Sequence, residues 1–126
     1  MSKTNVVVHQ KLVRDLIPIT IMDKGCSVKL KRINDDAEYA DILLDKLNEE
    51  RLELQVALYN NYTTEEECIN AIKDELADLY TILDTVRDIC GISGSDMADA
   101  INNKIRDKGA FEERLFLEEV ETYEGE

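Results

Sequence analysis

The chain has 126 residues and carries 28 Asp and Glu against 15 Lys and Arg, a formal net charge of −13. That balance argues against duplex DNA or an anionic membrane as partner, because both repel it. With 44% hydrophobic residues, five glycines and one proline, the chain is too apolar for a disordered acidic tail. It is also too poor in breakers for a many-turned β-sandwich.

Residues 6–14 form a short apolar and basic entry segment. Asp15 is placed to cap a short helix over 16–24, with Pro18 in the first turn and Gly25 at the end. From Cys26 to Ile33, Val28, Leu30 and Arg32 alternate with Ser27, Lys29, Lys31 and Ile33, the pattern of a strand. Asn34-Asp35-Asp36 supplies a turn and an N-cap for a helix over 37–60. Thr63 with Glu66, or Thr64 with Glu67, can cap a third helix over 65–90 that stops at Gly91. Ser95 is placed to cap a fourth over 96–108, ended by Gly109. The tail holds Phe111, Leu115, Phe116 and Leu117 before turning acidic. Part of it, 111–117, is expected to pair with 26–33 as a small β-hairpin, while its last residues fray. The expected fold is therefore all-α: a single domain over 1–126, built as a bundle of about four helices.

No run approaches the ~20 apolar residues of a membrane span. The opening leads only into Val6-Val7-Val8, too short for a signal-peptide core. Cys26, Cys68 and Cys90 are odd in number and lack metal-site spacing, so they read as reduced thiols in the cytoplasm. Cys68 and Cys90 fall on the apolar side of the third helix and read as core.

At about 100° per residue, Glu75 falls inside the apolar arc of the third helix, with Cys68, Ile72, Leu76, Leu79, Ile82, Leu83 and Val86. Asp78 lies at the edge of that arc, one turn on. The second helix repeats the anomaly. Glu50 sits inside an arc of Tyr39, Leu43, Leu47, Leu54, Ala57 and Leu58, with Glu53 at its margin and Glu49 further out. A carboxylate in a core face is costly unless paired or ligated. Helices joined by a short loop pack antiparallel, so Glu50 and Glu53 can face Glu75 and Asp78. Four crowded carboxylates call for a divalent cation, and hard oxygen donors select magnesium, manganese or calcium. The competing reading is a solvated acidic face. A di-iron bundle would need Glu-x-x-His pairs, and His9 is the only histidine.

A carboxylate-bound cation suits phosphate chemistry, which also needs cationic side chains. Lys104 and Lys108 share the side of the fourth helix that carries Met97, Ile101 and Ile105. Snorkelling lysines are the alternative there. Lys11 and Arg14 form a second basic pair, for which a structural ion pair of Arg14 with Asp15 or another acid is the alternative. Tyr39, Tyr80 and Phe111 read chiefly as core, with base stacking the lesser reading.

Four motifs in order resemble the all-α nucleoside triphosphate pyrophosphohydrolases, the MazG-like superfamily that includes phosphoribosyl-ATP pyrophosphohydrolase. Gln10-Lys11-Leu12-Val13-Arg14-Asp15-Leu16-Ile17-Pro18 looks like the opening KLVRDxIP of one branch, with Leu16 where a basic residue is expected. Glu49-Glu50-Arg51-Leu52-Glu53 is similar to its EExxE, and Glu75-Leu76-Ala77-Asp78 to its ExxD. Lys104 to Phe111 resembles its closing K-x-x-x-[KR]-G-x-F. The resemblance implies Mg²⁺, or Mn²⁺ in its place, held by Glu50, Glu53, Glu75 and Asp78. It implies cleavage of a nucleoside triphosphate between the α- and β-phosphates to give monophosphate and pyrophosphate, as in house-cleaning of nucleotide pools. Glu49 or Glu50 would take the proton from water, and Lys104, Lys108, Lys11 and Arg14 would neutralise phosphate. It also implies a homodimer or homotetramer. The alternatives are phosphoribosyl-ATP hydrolysis in histidine biosynthesis, and a non-catalytic acidic helical module binding a cation or partner.

Overall fold

The computed structural model describes residues 5–124. The tail's last two residues, where fraying is expected, and the first four lie outside them. Four helices follow in order: α1 (Ile17–Asp23), α2 (Asp36–Tyr59), α3 (Glu65–Ile89) and α4 (Gly94–Lys108). The chain forms two compact units, one ending at Gly91 and the other beginning at Ile92.

In the first unit, α1 starts without a side-chain cap. Leu16, not Asp15, occupies the N-cap position in a helical conformation, and the turn closes through Ile17 N–H donating to Arg14 O at 3.1 Å. Pro18 stands in the first turn as expected. The helix ends in a Schellman motif: Gly25 N–H donates to Met22 O and Cys26 N–H to Ile21 O. Gly25 adopts φ +89°, a backbone state that glycine enters without a Cβ clash.

The long helices begin at capped ends. Asp35 Oδ2 accepts from Glu38 N–H at 2.9 Å, and Thr64 Oγ1 accepts from Glu67 N–H at 3.1 Å. Of the two caps open at the start of α3, Thr64 is the one used. The five-residue turn between α2 and α3 is tied back by the Tyr62 hydroxyl, which donates to Ala57 O at 2.9 Å. So short a turn folds the two helices antiparallel, packed against each other.

Their seam is narrow. Leu43, Ala57 and Ile82 are the buried hydrophobic residues among those described, and Glu50 is buried with them. Leu43, Glu50 and Ala57 recur every seventh position, so they form a single line along α2. The apolar arc of α3 is wider than the strip α2 covers. Ile69, Leu76, Tyr80 and Leu83 on its flank stay exposed, and Tyr80 is therefore not core. Cys68 is half-buried, but Cys90 is exposed because it falls at the C-cap, beyond the last helical residue.

In the second unit, Ser93 rather than Ser95 caps α4, its Oγ accepting from Asp96 N–H at 3.0 Å. Ser93 holds the extended backbone that lets a hydroxyl reach back three residues. Gly109 ends the helix at φ 82°, ψ 178°, a region essentially confined to glycine. Among the described residues no strand forms, so the expected hairpin of 26–33 with 111–117 is absent. Alternation alone supplies no ladder partner, and its inward candidate Leu30 is exposed. Phe111, Leu115, Phe116 and Leu117 are also exposed, so Phe111 is not core.

Candidate metal centre

Glu50 stands midway along α2, two turns from Leu43 and two from Ala57, on the line that faces α3. Only 5% of its surface is exposed. Lys46, one turn earlier, brings Nζ to 3.6 Å from Glu50 Oε1 and 3.8 Å from Glu49 Oε2. Glu50 Oε2 is enclosed and has no hydrogen-bond partner within the chain. Glu75 Oε2, on the facing helix, is in the same condition.

Asp78 lies one helical turn beyond Glu75. Oxygens of Glu50, Glu75 and Asp78 all lie within 4.8 Å of one another. Such crowding is felt in their proton affinities. Burial first, then the neighbouring Glu75, Glu53 and Asp78 carboxyls, push Glu50 from an ordinary 4.5 up to about 8. Burial also raises Glu75; the adjacent Glu50 carboxyl opposes that rise, and the charges of Glu53 and Asp78 add to it. The group is thus held together at a cost that a bound cation would remove.

The fourth expected ligand, Glu53, is near enough to act on buried Glu50 and half-buried Glu75 but is itself exposed. It lines a groove of about 400 Å³ between α2 and α3, together with Val56, Tyr62, Ala71, Asp74 and Glu75. Carboxylate and apolar wall therefore adjoin along one seam. Glu49 lies outside the three-carboxylate group, exposed and beside Lys46.

Arg14 comes from the irregular segment before α1. Its Nη2 donates to Asp78 Oδ1 at 2.6 Å and to Thr81 Oγ1 at 3.3 Å. The acid it meets is Asp78, not the adjacent Asp15. Lys11 is exposed in the same segment. Lys104 and Lys108 are exposed on α4 in the second unit, where Ile101 and Ile105 on the expected inner side remain about half exposed. Spacing along α2 could have signalled Lys46, which stands four residues before Glu50. The Arg14–Asp78 pair joins residues 64 positions apart, a separation at which no local pattern operates.

The residues fit a hard divalent cation. The donor set is all carboxylate oxygen, and two of its buried oxygens lack partners. Around Mg²⁺, with bonds of about 2.1 Å, adjacent ligand oxygens stand ~3.0 Å apart and opposite ones ~4.2 Å. The three oxygens lie within 4.8 Å of one another, close to the spacing of a shared ion's ligands. No protein-family profile, curated protein or solved structure matches the chain.

Proposed function

We propose that the protein is a magnesium-dependent nucleoside triphosphate pyrophosphohydrolase. The observation that carries the reading is the Glu50 carboxylate, buried between two long helices with an unpartnered oxygen, close to Glu75 and Asp78. Without a cation or donors, an acid in that position must keep its proton, as the rise of Glu50 to about 8 reflects. Lys46 at 3.6 Å reaches only one of its oxygens. The motif order from Lys11 to Phe111 supports phosphate anhydrides as the substrate class.

Glu50, Glu75 and Asp78 would hold the cation, with Glu53 closing the set from the groove. Bound there, Mg²⁺ would neutralise triphosphate charge and lower the pKa of a water. Glu49, at the exposed end of the same helical turn, or one of the holding carboxylates, takes the proton as water attacks phosphorus. The oxygen–phosphorus bond between the α- and β-phosphates breaks, releasing monophosphate and pyrophosphate. Arg14 and Lys11 would supply positive charge to the phosphates.

The exposed apolar flank of α3 supports a homo-oligomer, with a second copy covering Ile69, Leu76, Tyr80 and Leu83. No helix among the described residues is long and apolar enough to cross a membrane.

The test is a panel of ribo- and deoxyribonucleoside triphosphates plus phosphoribosyl-ATP, with Mg²⁺, assayed for pyrophosphate and orthophosphate. Pyrophosphate from the simple triphosphates is expected. Pyrophosphate from phosphoribosyl-ATP alone would reassign the substrate. Cation binding without turnover of any of them would make the chain a non-catalytic module. Glu75→Gln should abolish turnover with helicity unchanged; full activity in that variant rejects the site.

A further inference from the structure

Asp78 differs from the other two carboxylates of the group in having a strong partner. The Arg14 guanidinium meets only its Oδ1, and the other oxygen is free of that contact. The same Nη2 has two hydrogens, and its second acceptor is Thr81 Oγ1. Thr81 is itself oriented, because its hydroxyl donates to Ala77 O at 2.8 Å. The guanidinium is therefore held at two points one turn apart on α3, and the Asp78 carboxylate is held at one edge.

Like charges would otherwise drive Asp78 away. Its side chain is 29% exposed and has water to turn toward, while Glu50 and Glu75 repel it from the cluster. An arginine on Oδ1 offsets that repulsion and leaves Oδ2 free of its contact. Hydrogen bonds of this kind to a metal-binding carboxylate orient it and typically change metal affinity 10–100-fold.

We infer that Arg14 is a positioning residue for the cation site: through Nη2 it holds Asp78 toward Glu50 and Glu75, and Thr81 holds Arg14. The inference rests on the metal-binding reading above. A guanidinium has five N–H donors, so three remain after Nη2 is committed. Half of the Arg14 side chain is exposed, and these donors can meet a phosphate oxygen without releasing Asp78. The entry segment thus contributes to the centre indirectly, through an acid on α3.

The experiment is a titration of the full chain with Mn²⁺, reading free Mn²⁺ by electron paramagnetic resonance. Wild type, Arg14→Ala, Arg14→Lys, Thr81→Val and Glu75→Gln are compared, with helicity checked by circular dichroism. Arg14→Ala should weaken Mn²⁺ binding by roughly 10-fold. Arg14→Lys, which keeps the charge but replaces the planar guanidinium with a shorter, freely rotating ammonium, should fall between it and wild type. Thr81→Val should weaken binding in the same direction by less. If the alanine variant does not fold, the lysine and valine variants carry the test alone. Unchanged binding in Arg14→Ala and Thr81→Val would make Arg14 a mere fastener of the entry segment and overturn the inference. Tighter binding in Arg14→Ala would make it a competitor of the cation and overturn it too. Those failures leave wild-type binding and its loss in Glu75→Gln intact. Absence of Mn²⁺ binding in wild type overturns the metal reading itself and the inference with it.

Discussion

At Glu50, the cost of burial has a definite sign with pH. The carboxyl is raised from 4.5 to about 8 in the folded chain, so the folded state holds the proton more tightly than the unfolded one. Between those limits the unfolded state binds fewer protons, and stability must fall as pH rises. The penalty is absent below about pH 4.5 and complete above about pH 8. We predict that metal-free protein loses melting temperature as pH rises across this window. Adding Mg²⁺ should flatten the slope, because a ligand bound only by the folded state stabilises it. Glu50→Gln keeps the shape without the charge. It should melt higher than wild type at pH 8 in EDTA and gain nothing from Mg²⁺. A Glu50→Gln protein that still responds to Mg²⁺ as wild type does would place the cation elsewhere. Calorimetric scans in EDTA and in Mg²⁺ decide both points.

The helices carry their own start and stop chemistry, and it discriminates between neighbouring residues. Thr64 satisfies the N–H of Glu67, whereas Thr63 precedes the helix. Thr64→Ala should cost about 1 kcal/mol in urea unfolding, and Thr63→Ala close to nothing. The same comparison applies to Ser93 and Ser95 on α4, where Ser93→Ala should be the damaging change. At the other end of α4, Gly109→Ala forces a Cβ into φ 82°, ψ 178°, though nothing crowds the position. Its expected cost, of order 1–3 kcal/mol, is therefore purely conformational. Periodicity made α2, α3 and α4 legible within two residues of their ends. It failed at 26–33, where alternation in a short segment met no neighbouring strand.

At the scale of the molecule, the apolar surface outruns what one copy covers. Three buried hydrophobic residues in the described chain are few against the entropy of ordering it. Leu44, Leu52 and Leu58 on α2 stand exposed, as do Ile69, Leu76 and Leu83 on α3. Light scattering coupled to size exclusion should give a dimer or tetramer mass. Leu83→Glu should shift that mass downward while the α2–α3 hairpin remains helical. A monomer at micromolar concentration, in wild type, would contradict association through these faces.

The spacing of residues along each helix was enough to show that Glu50 and Glu75 lie on apolar faces, because a helix converts sequence interval directly into angle. Local side-chain chemistry likewise placed the capped start of α2 within Asn34-Asp35-Asp36 and the end of α4 at Gly109. The same angles put Glu50 inside the arc of α2 and Glu53 at its margin, and the seam with α3 buries the first and leaves the second exposed. They could not pair Arg14 with Asp78, whose meeting depends on where an irregular segment crosses a distant helix. Intervals of three and four residues carry angular information; contact across 64 residues is decided by packing.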